Sequence, residues 1–361
     1  MKLSPEIDLG RSLQQVFGNK PDFTAQIERD AARQSETTNA ILRRFVGSKE
    51  SERRELIILA DEVGLGKTYV ALAVAISILD AIRRGEAPEG LPSNKPVVLV
   101  LTPANDALFN KWIREAEAFK TACARTKGGL DWLQISCPID NSSKSGNVID
   151  LWAQMRKAAR SQPMLVIAKQ NALGAALRDR DLWRLRGLAS IFSCFRTPTE
   201  TRRYWCRKGR LFDSFGIPEL DELLDLRSSS DLWDDPRSPD LQRIFYRAFQ
   251  ANPKLTDRAE TALSGDDEDK LAGVLDDFAR YALVTDWPLL PLIIIDEIHN
   301  LKNPYVQSRR HFESLLKGRC CRLLGLSATP FQLRHDELLS LLKLRNVLAL
   351  SGERFDALGS G

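Results

Sequence analysis

Five short, continuous apolar runs constrain the fold of this 361-residue chain more than any other feature of its sequence. The runs lack polar alternation, which indicates strands buried on both faces, as in a parallel sheet covered by helices. Helical patterns follow two of them, over Thr68–Arg84 and Ala107–Phe119. This alternation predicts an α/β fold, a doubly wound parallel sheet with ligands at the carboxyl ends of its strands. The five predicted strands are Leu56–Ala60, Val97–Leu101, Met164–Ala168, Leu292–Ile295 and Arg322–Leu326.

The strand–helix alternation stops for more than a hundred residues in the second half of the chain. No buried-strand pattern occurs there, and helical patterns predominate, so we expect a large, mainly helical insertion at 174–290, between the third strand and the next. We expect an N-terminal helical segment at 1–50, and the two parts of one lobe at 51–173 and 291–361. The insertion is a candidate docking surface for a protein partner.

Composition excludes several classes of protein. The formal net charge is only +4, and the 43% of hydrophobic residues is typical of a folded, soluble chain. The most apolar run, Leu289–Ile295, is far shorter than the ~20 residues that a membrane span needs. Six cysteines include no Cys-x-x-Cys pair, which argues against a zinc site. We therefore expect a cytoplasmic protein that does not act at a membrane.

The segment between the first predicted strand and helix, Asp61–Thr68, places two glycines before a Lys-Thr pair. Gly64 and Gly66 allow backbone N–H groups to turn onto a polyphosphate, and the helix N-terminus adds positive potential. Lys67 would reach the β- and γ-phosphates, and the Thr68 hydroxyl would bind magnesium. The sequence therefore predicts a phosphate-binding loop. The alternative is a glycine-rich turn before an ordinary capped helix.

Two carboxylates follow the fourth predicted strand. Asp296 stands at the strand end, where it would hold a magnesium ion or its bound water. Glu297 beside it would orient and deprotonate a water for attack on phosphorus. The alternative is a strand-to-helix turn in which the acids only cap a helix. A third segment, after the last apolar run, carries Ser327 and Thr329, whose hydroxyls would link a nucleotide site to a neighbouring part of the protein by hydrogen bonds.

Taken in order, these three segments resemble motifs I, II and III of helicase superfamily 2. The sequence of 61–68, DEVGLGKT, is similar to that of the SWI/SNF-like branch, as are DEIHNLKN at 296–303 and ATPFQL at 328–333. Thr102-Pro103 followed by the NKW of 110–112 resembles motif Ia of that branch. The Val and Gln-Leu variants are similar to the bacterial, RNA-polymerase-associated remodeller type.

The resemblance implies a RecA-like, ATP-binding lobe that uses ATP and Mg²⁺, the metal being held by Thr68 and Asp296. It implies that Lys67, Asp296 and Glu297 are catalytic and that His299 couples the nucleotide site to Ser327 and Thr329. Gln34 is the candidate adenine-reading residue, with an exposed helix glutamine as the alternative. The residues implied to bind ATP are Gln34, Asp61, Gly64, Leu65, Gly66, Lys67 and Thr68.

The resemblance also implies a nucleic-acid partner, with duplex DNA favoured and Thr102, Pro103 and Lys169 along its track. Motors of this superfamily hydrolyse ATP between two RecA-like lobes, and no segment here matches the motifs of the second lobe. We expect that lobe in a longer version of the same chain or in another chain. The expected function is that of a duplex DNA translocase or remodeller. The alternatives are a strand-separating DNA or RNA helicase and an ATP-gated interaction module with negligible turnover.

Overall fold

The computed structural model divides the chain into two compact units, Met1–Gly174 with Trp287–Gly361, and Ala175–Asp286. Almost all of the predicted insertion at 174–290 lies outside the residues that the structure describes, as do Gly64, Leu65 and Thr329. The description below therefore concerns the first unit. The described residues are 1–17, 21–47, 53–61, 66–94, 96–137, 148, 151–152, 154–155, 162–173, 254, 257–258, 261, 277, 280–303, 307–328 and 335–349.

Within these residues, six strands form one parallel sheet in the order β1-β6-β5-β2-β4-β3. The central strands are buried along their whole length, since helices cover both faces of a parallel sheet. The predicted α/β parallel sheet is confirmed, and the arrangement is consistent with a RecA-like fold. The strands are β1 (Leu56–Ala60), β2 (Val97–Thr102), β3 (Gln134–Ser136), β4 (Met164–Lys169), β5 (Leu292–Ile295) and β6 (Leu323–Ser327).

One strand escapes the sequence prediction. β3 has only three residues, Gln134–Ser136, all half-buried, and it pairs with a single neighbour at the sheet edge. Such a segment has neither the length nor the apolar content of a buried strand. The segment predicted as the third strand is therefore the fourth, β4, and the helical insertion predicted to follow it stays a prediction.

The N-terminal helices pack on the sheet domain. Helix α2 (Pro21–Phe45) contacts α3 (Lys67–Arg83), and Leu42 and Phe45 of α2 are fully buried in the common core. The buried Arg322 donates from Nε to the Phe45 carbonyl at 2.8 Å, which ties the end of α2 to the start of β6. Two helices, Leu9–Phe17 and Pro21–Phe45, lie within the segment predicted at 1–50. The helices are α1 (Leu9–Phe17), α2 (Pro21–Phe45), α3 (Lys67–Arg83), α4 (Asp106–Ala122), α5 (Gln307–Leu316) and α6 (His335–Leu342).

Helix α3 is the most buried helix described. Every residue from Val70 to Ile82 is buried, including the carboxylate of Asp80. Because a buried charge needs partners, Asp80 accepts hydrogen bonds from Ser4 Oγ at 2.8 Å and Arg83 Nη2 at 2.7 Å. None of the helices in the described residues is long and apolar enough to cross a membrane.

Candidate active site

The predicted motif segments leave the sheet side by side. β6 pairs with β1 through Ser327 and Ala60, and it pairs with β5 through Gly325 and Ile295. Because all three strands are parallel, the segments that follow them emerge at the same carboxyl edge. The Asp61 N–H points at the Ser327 carbonyl, at 3.4 Å, so the first and third segments are in contact.

The described part of the phosphate-loop segment places Lys67 at the first position of α3. Its Nζ donates to the carbonyl of Asp61, the residue that begins the segment, at 2.6 Å. Gly66 caps α3 in the left-handed region with φ 79°, a conformation that glycine adopts without steric cost. Thr68 follows in the first turn and is half-buried. The positive end of α3 and the Lys67 ammonium therefore lie together, as an anion site requires.

Helix α2 contacts both described ends of this loop. Arg33 Nη1 lies 3.3 Å from Asp61 Oδ2, so an ion pair holds the start of the loop. Gln34 is only 5% exposed, and its Nε2 lies 2.3 Å from the place that a Cβ on residue 66 would occupy. The positive φ of residue 66 and this close approach both favour glycine at that position. The alternative of an exposed helix glutamine at position 34 is wrong.

The Asp296 carboxylate is held by hydrogen bonds from two directions. Trp112 Nε1 donates to Oδ2 at 2.8 Å, and the Glu297 N–H donates to Oδ1 at 3.0 Å. Gln170 Nε2 donates to the Asp296 backbone carbonyl at 2.7 Å. Burial raises the pKa of Asp296 above its ordinary value, and the Trp112 hydrogen bond opposes that rise.

Glu297 has φ 49° and is the one non-glycine residue with a positive φ in the part of the chain described. A side-chain-bearing residue in this region stores about 1–3 kcal/mol of strain, which persists at sites where the surroundings fix it. Its Oε2 lies 3.2 Å from His299 Nδ1, and the same nitrogen lies 3.4 Å from Ser327 Oγ. The structure therefore brings Glu297, His299 and Ser327 together, as a coupling role for His299 requires.

A close approach of backbone to side chain fixes this turn against the sheet. A Cβ on Gly325 would lie 2.4 Å from Ile298 Cδ1, and Ile298 is fully buried. Ile298 begins a short 3₁₀ helix, Ile298–Leu301, that directly follows Glu297. Glycine at the middle of β6 is therefore what allows the turn after β5 to sit this close.

The residues predicted along the nucleic-acid track lie at the ends of β2 and β4. Thr102 is fully buried, and its Oγ1 donates to the Pro103 carbonyl at 3.2 Å. Lys169 is 5% exposed; its ammonium contacts the Asp106 carboxylate and lies 5.3 Å from the centre of the Phe109 ring. The charge of Lys169 is thus paired with the first turn of α4 in this conformation.

Two described side chains offer oxygen atoms of the kind that magnesium takes as ligands. The described residues contain no cluster of three or more His, Cys, Asp or Glu side chains that would hold a metal ion. Mg²⁺ in nucleotide sites takes one or two protein oxygens together with phosphate oxygens and water. The Thr68 hydroxyl and the Asp296 carboxylate are oxygen ligands of that kind, so they fit a magnesium ion that arrives with its nucleotide.

Two residues that hold the site were not predicted to do so. Trp112 was expected in the helix predicted over Ala107–Phe119 and within motif Ia, and Gln170 was not singled out. Their partner Asp296 is 184 and 126 residues away in the sequence. No local pattern indicates a hydrogen bond over such a distance.

Comparison with solved structures finds a distant similarity of fold. No family model and no curated protein matches the chain. Among solved structures it is similar to the Sulfolobus solfataricus SWI2/SNF2 ATPase core in complex with dsDNA, with 15% sequence identity and a TM-score of 0.36. The similarity covers 95% of this chain and 37% of that one, so this chain spans little more than a third of its length. No functional assignment rests on it.

Proposed function

We propose that this chain is the ATP-binding lobe of a nucleic-acid-dependent ATPase, a SWI/SNF-like translocase or remodeller that acts on duplex DNA. One observation supports the proposal most. The segments after β1, β5 and β6 meet at a single sheet edge, where His299 Nδ1 lies within 3.4 Å of both Glu297 and Ser327. A capped turn or a generic phosphate site needs no such contact between the second and third segments.

Each residue then has a chemical role in ATP hydrolysis. Lys67 leaves the Asp61 carbonyl to bind the β- and γ-phosphates, and Thr68 and Asp296 would hold a magnesium ion, which would neutralise phosphate charge. Glu297 accepts a proton from a water molecule while the oxygen of that water bonds to the γ-phosphorus. The bond between the γ-phosphorus and the bridging oxygen to the β-phosphate breaks, which gives ADP and phosphate. His299, beside Glu297, transmits the nucleotide state to Ser327 and Thr329.

Gln34 is the proposed adenine-reading residue. Its buried Oε1 has no hydrogen-bond partner among the described residues, and an unsatisfied acceptor of this kind costs about 1–3 kcal/mol. The 6-amino group of adenine is a donor, whereas guanine presents an acceptor there. Replacing Gln34 with Ala should therefore reduce the preference for ATP over GTP. An equal loss of affinity for both nucleotides would instead indicate that Gln34 only packs against Gly66 and does not read the base.

Full activity requires parts that lie beyond this lobe. Phosphoryl transfer in two-lobed motors uses arginines from the second lobe, worth about 10³–10⁵ in turnover. We propose that a second RecA-like lobe, in a longer form of this chain or in trans, closes on this edge. Thr102, Pro103 and Lys169 are the proposed contacts to the DNA backbone, and residues 174–290 are the proposed docking surface for a protein partner.

ATP hydrolysis by the full natural protein that contains this sequence tests the function. We expect turnover that duplex DNA raises more than single-stranded DNA or RNA does, and that Glu297→Gln abolishes. Stimulation by single strands instead would favour a strand-separating helicase. Tight ATP binding with no turnover on any polymer would favour the ATP-gated docking module.

A further inference from the structure

We propose that Trp112 is a positioning residue for the metal-holding carboxylate of Asp296. The inference rests on the proposed function, because it concerns the magnesium ion of that site. Trp112 touches neither nucleotide nor metal in this proposal. It acts through a single hydrogen bond, from its indole N–H to Asp296 Oδ2, at 2.8 Å.

The indole itself is held in place by its helix. Helix α4 begins beside Asn105, whose Oδ1 accepts from the N–H groups of Ala107 and Leu108 at 2.8 and 3.2 Å. This side-chain cap satisfies two of the free donors at the helix start. Trp112 lies two turns further on, only 2% exposed, on the buried face of α4 with Ala116 and Phe119. The donor is therefore fixed by packing before any ligand binds.

The hydrogen bonds around Asp296 fix the carboxylate plane as well as its position. The Trp112 N–H takes one site on Oδ2, and the Glu297 N–H takes one site on Oδ1. An ionised carboxylate has about four acceptor sites, so each oxygen keeps a lone pair for a magnesium ion or its water. Gln170 holds the backbone carbonyl of the same residue, which limits movement of the main chain.

The chemistry of the donor suits this role. An indole N–H donates only; it cannot accept, and it carries no charge that would compete with a cation for the carboxylate. Partners that orient a metal ligand in this way are worth about 10–100-fold in metal affinity or activity. Removing the N–H should therefore weaken the contribution of magnesium to nucleotide binding more than it weakens contacts to the nucleotide itself.

The test compares Trp112→Phe with Trp287→Phe in titration calorimetry with a non-hydrolysable ATP analogue, with excess Mg²⁺ and with EDTA. Both changes remove a buried indole N–H; that of Trp287, which is 3% exposed, has no hydrogen-bond partner among the described residues. We expect Trp112→Phe to reduce the Mg²⁺-dependent gain in affinity by about 10–100-fold and to leave the affinity in EDTA unchanged. Trp287→Phe should change neither.

Three results separate the possibilities. A wild-type protein with no Mg²⁺-dependent gain would refute the proposed function. A normal gain in Trp112→Phe, or equal losses with Mg²⁺ and with EDTA, would overturn the role of Trp112 alone. If Trp112→Phe fails to fold, NMR spectra of the wild-type protein provide the test instead. The indole N–H resonance of Trp112 should shift when Mg²⁺ is added to the complex with the ATP analogue, and the indole N–H resonance of Trp287 should not. An unmoved Trp112 resonance would overturn the proposal.

Discussion

Gly325→Ala is the substitution that tests most sharply how the sheet fixes the turn after β5. The new methyl group would lie 2.4 Å from Ile298 Cδ1 and 3.1 Å from its Cγ2, whereas carbon atoms pack comfortably at about 3.5–4.0 Å. Gly325 pairs with Ile58 of β1 and with Ile295 of β5, so its strand is held from both sides. Ile298 must therefore move, and Glu297 is its immediate neighbour.

Two opposing effects set the size of the change. Replacing glycine reduces the entropy of the unfolded chain, which stabilises by about 0.4–1 kcal/mol. Overpacking a well-filled core destabilises by about 1–3 kcal/mol, so it should win. We expect the free energy of unfolding in urea to fall by about 1–2 kcal/mol. Binding of Mg²⁺·ATP should weaken as well, because the displaced side chain is two residues from Asp296, the proposed magnesium ligand.

A double-mutant cycle with Ile298→Val supplies the control. Valine lacks Cδ1, the atom closest to the added methyl group, and this change alone should cost about 0.5–1.5 kcal/mol. Residues in contact show interaction energies of about 0.5–3 kcal/mol, so the double variant should be more stable than the sum of the single effects predicts. Effects that add within about 0.3 kcal/mol would refute the close packing described here.

Two further predictions concern ionisable groups. Because burial raises the pKa of Asp296, ionisation of this carboxylate destabilises the nucleotide-free fold as the pH rises from about 4 through that pKa. Asp296→Asn cannot ionise, so its melting temperature should lack this fall, although the variant also loses one of the two N–H hydrogen bonds that the carboxylate accepts. The same dependence of melting temperature on pH in both proteins would contradict the raised pKa. Burial and the charge of Glu117 raise the pKa of Cys137 by two pH units, from 9.0 to about 11, so at neutral pH its thiolate should be roughly 100-fold scarcer than that of an ordinary cysteine. Peptide mapping after iodoacetamide treatment should show correspondingly slow labelling of Cys137 that accelerates up to about pH 11; labelling at the rate of a free thiol would contradict the burial of that side chain.

Reasoning from the sequence predicted those strands that a local pattern of residues encodes. The five apolar runs predicted β1, β2, β4, β5 and β6 because a strand buried on both faces leaves an uninterrupted apolar signal. The edge strand β3 leaves no such signal, since its three residues are half-buried and pair on one side only. Parallel topology then places the ends of neighbouring strands at one edge, which is why the segments after β1, β5 and β6 meet there.

Contacts that depend on the assembled fold were beyond sequence reasoning. The hydrogen bond from Trp112 to Asp296 joins residues 184 positions apart, and Gln34 meets Gly66 only because α2 packs on α3. The left-handed backbone of Glu297 has no sequence signature either, because glycine is the residue that usually marks this conformation. Tertiary packing decides all three features.

Equilibrium binding of fluorescent ATP with Mg²⁺ tests the central claim most directly, namely that this sheet edge is a nucleotide site. The wild-type chain and Glu297→Gln should bind with similar affinity, because Glu297 acts on the attacking water and not on the phosphates. Lys67→Ala should bind at least about 10-fold more weakly, since a hydrogen bond from a charged group is worth about 1.5–3 kcal/mol. Binding by Lys67→Ala that equals that of the wild type would contradict the account.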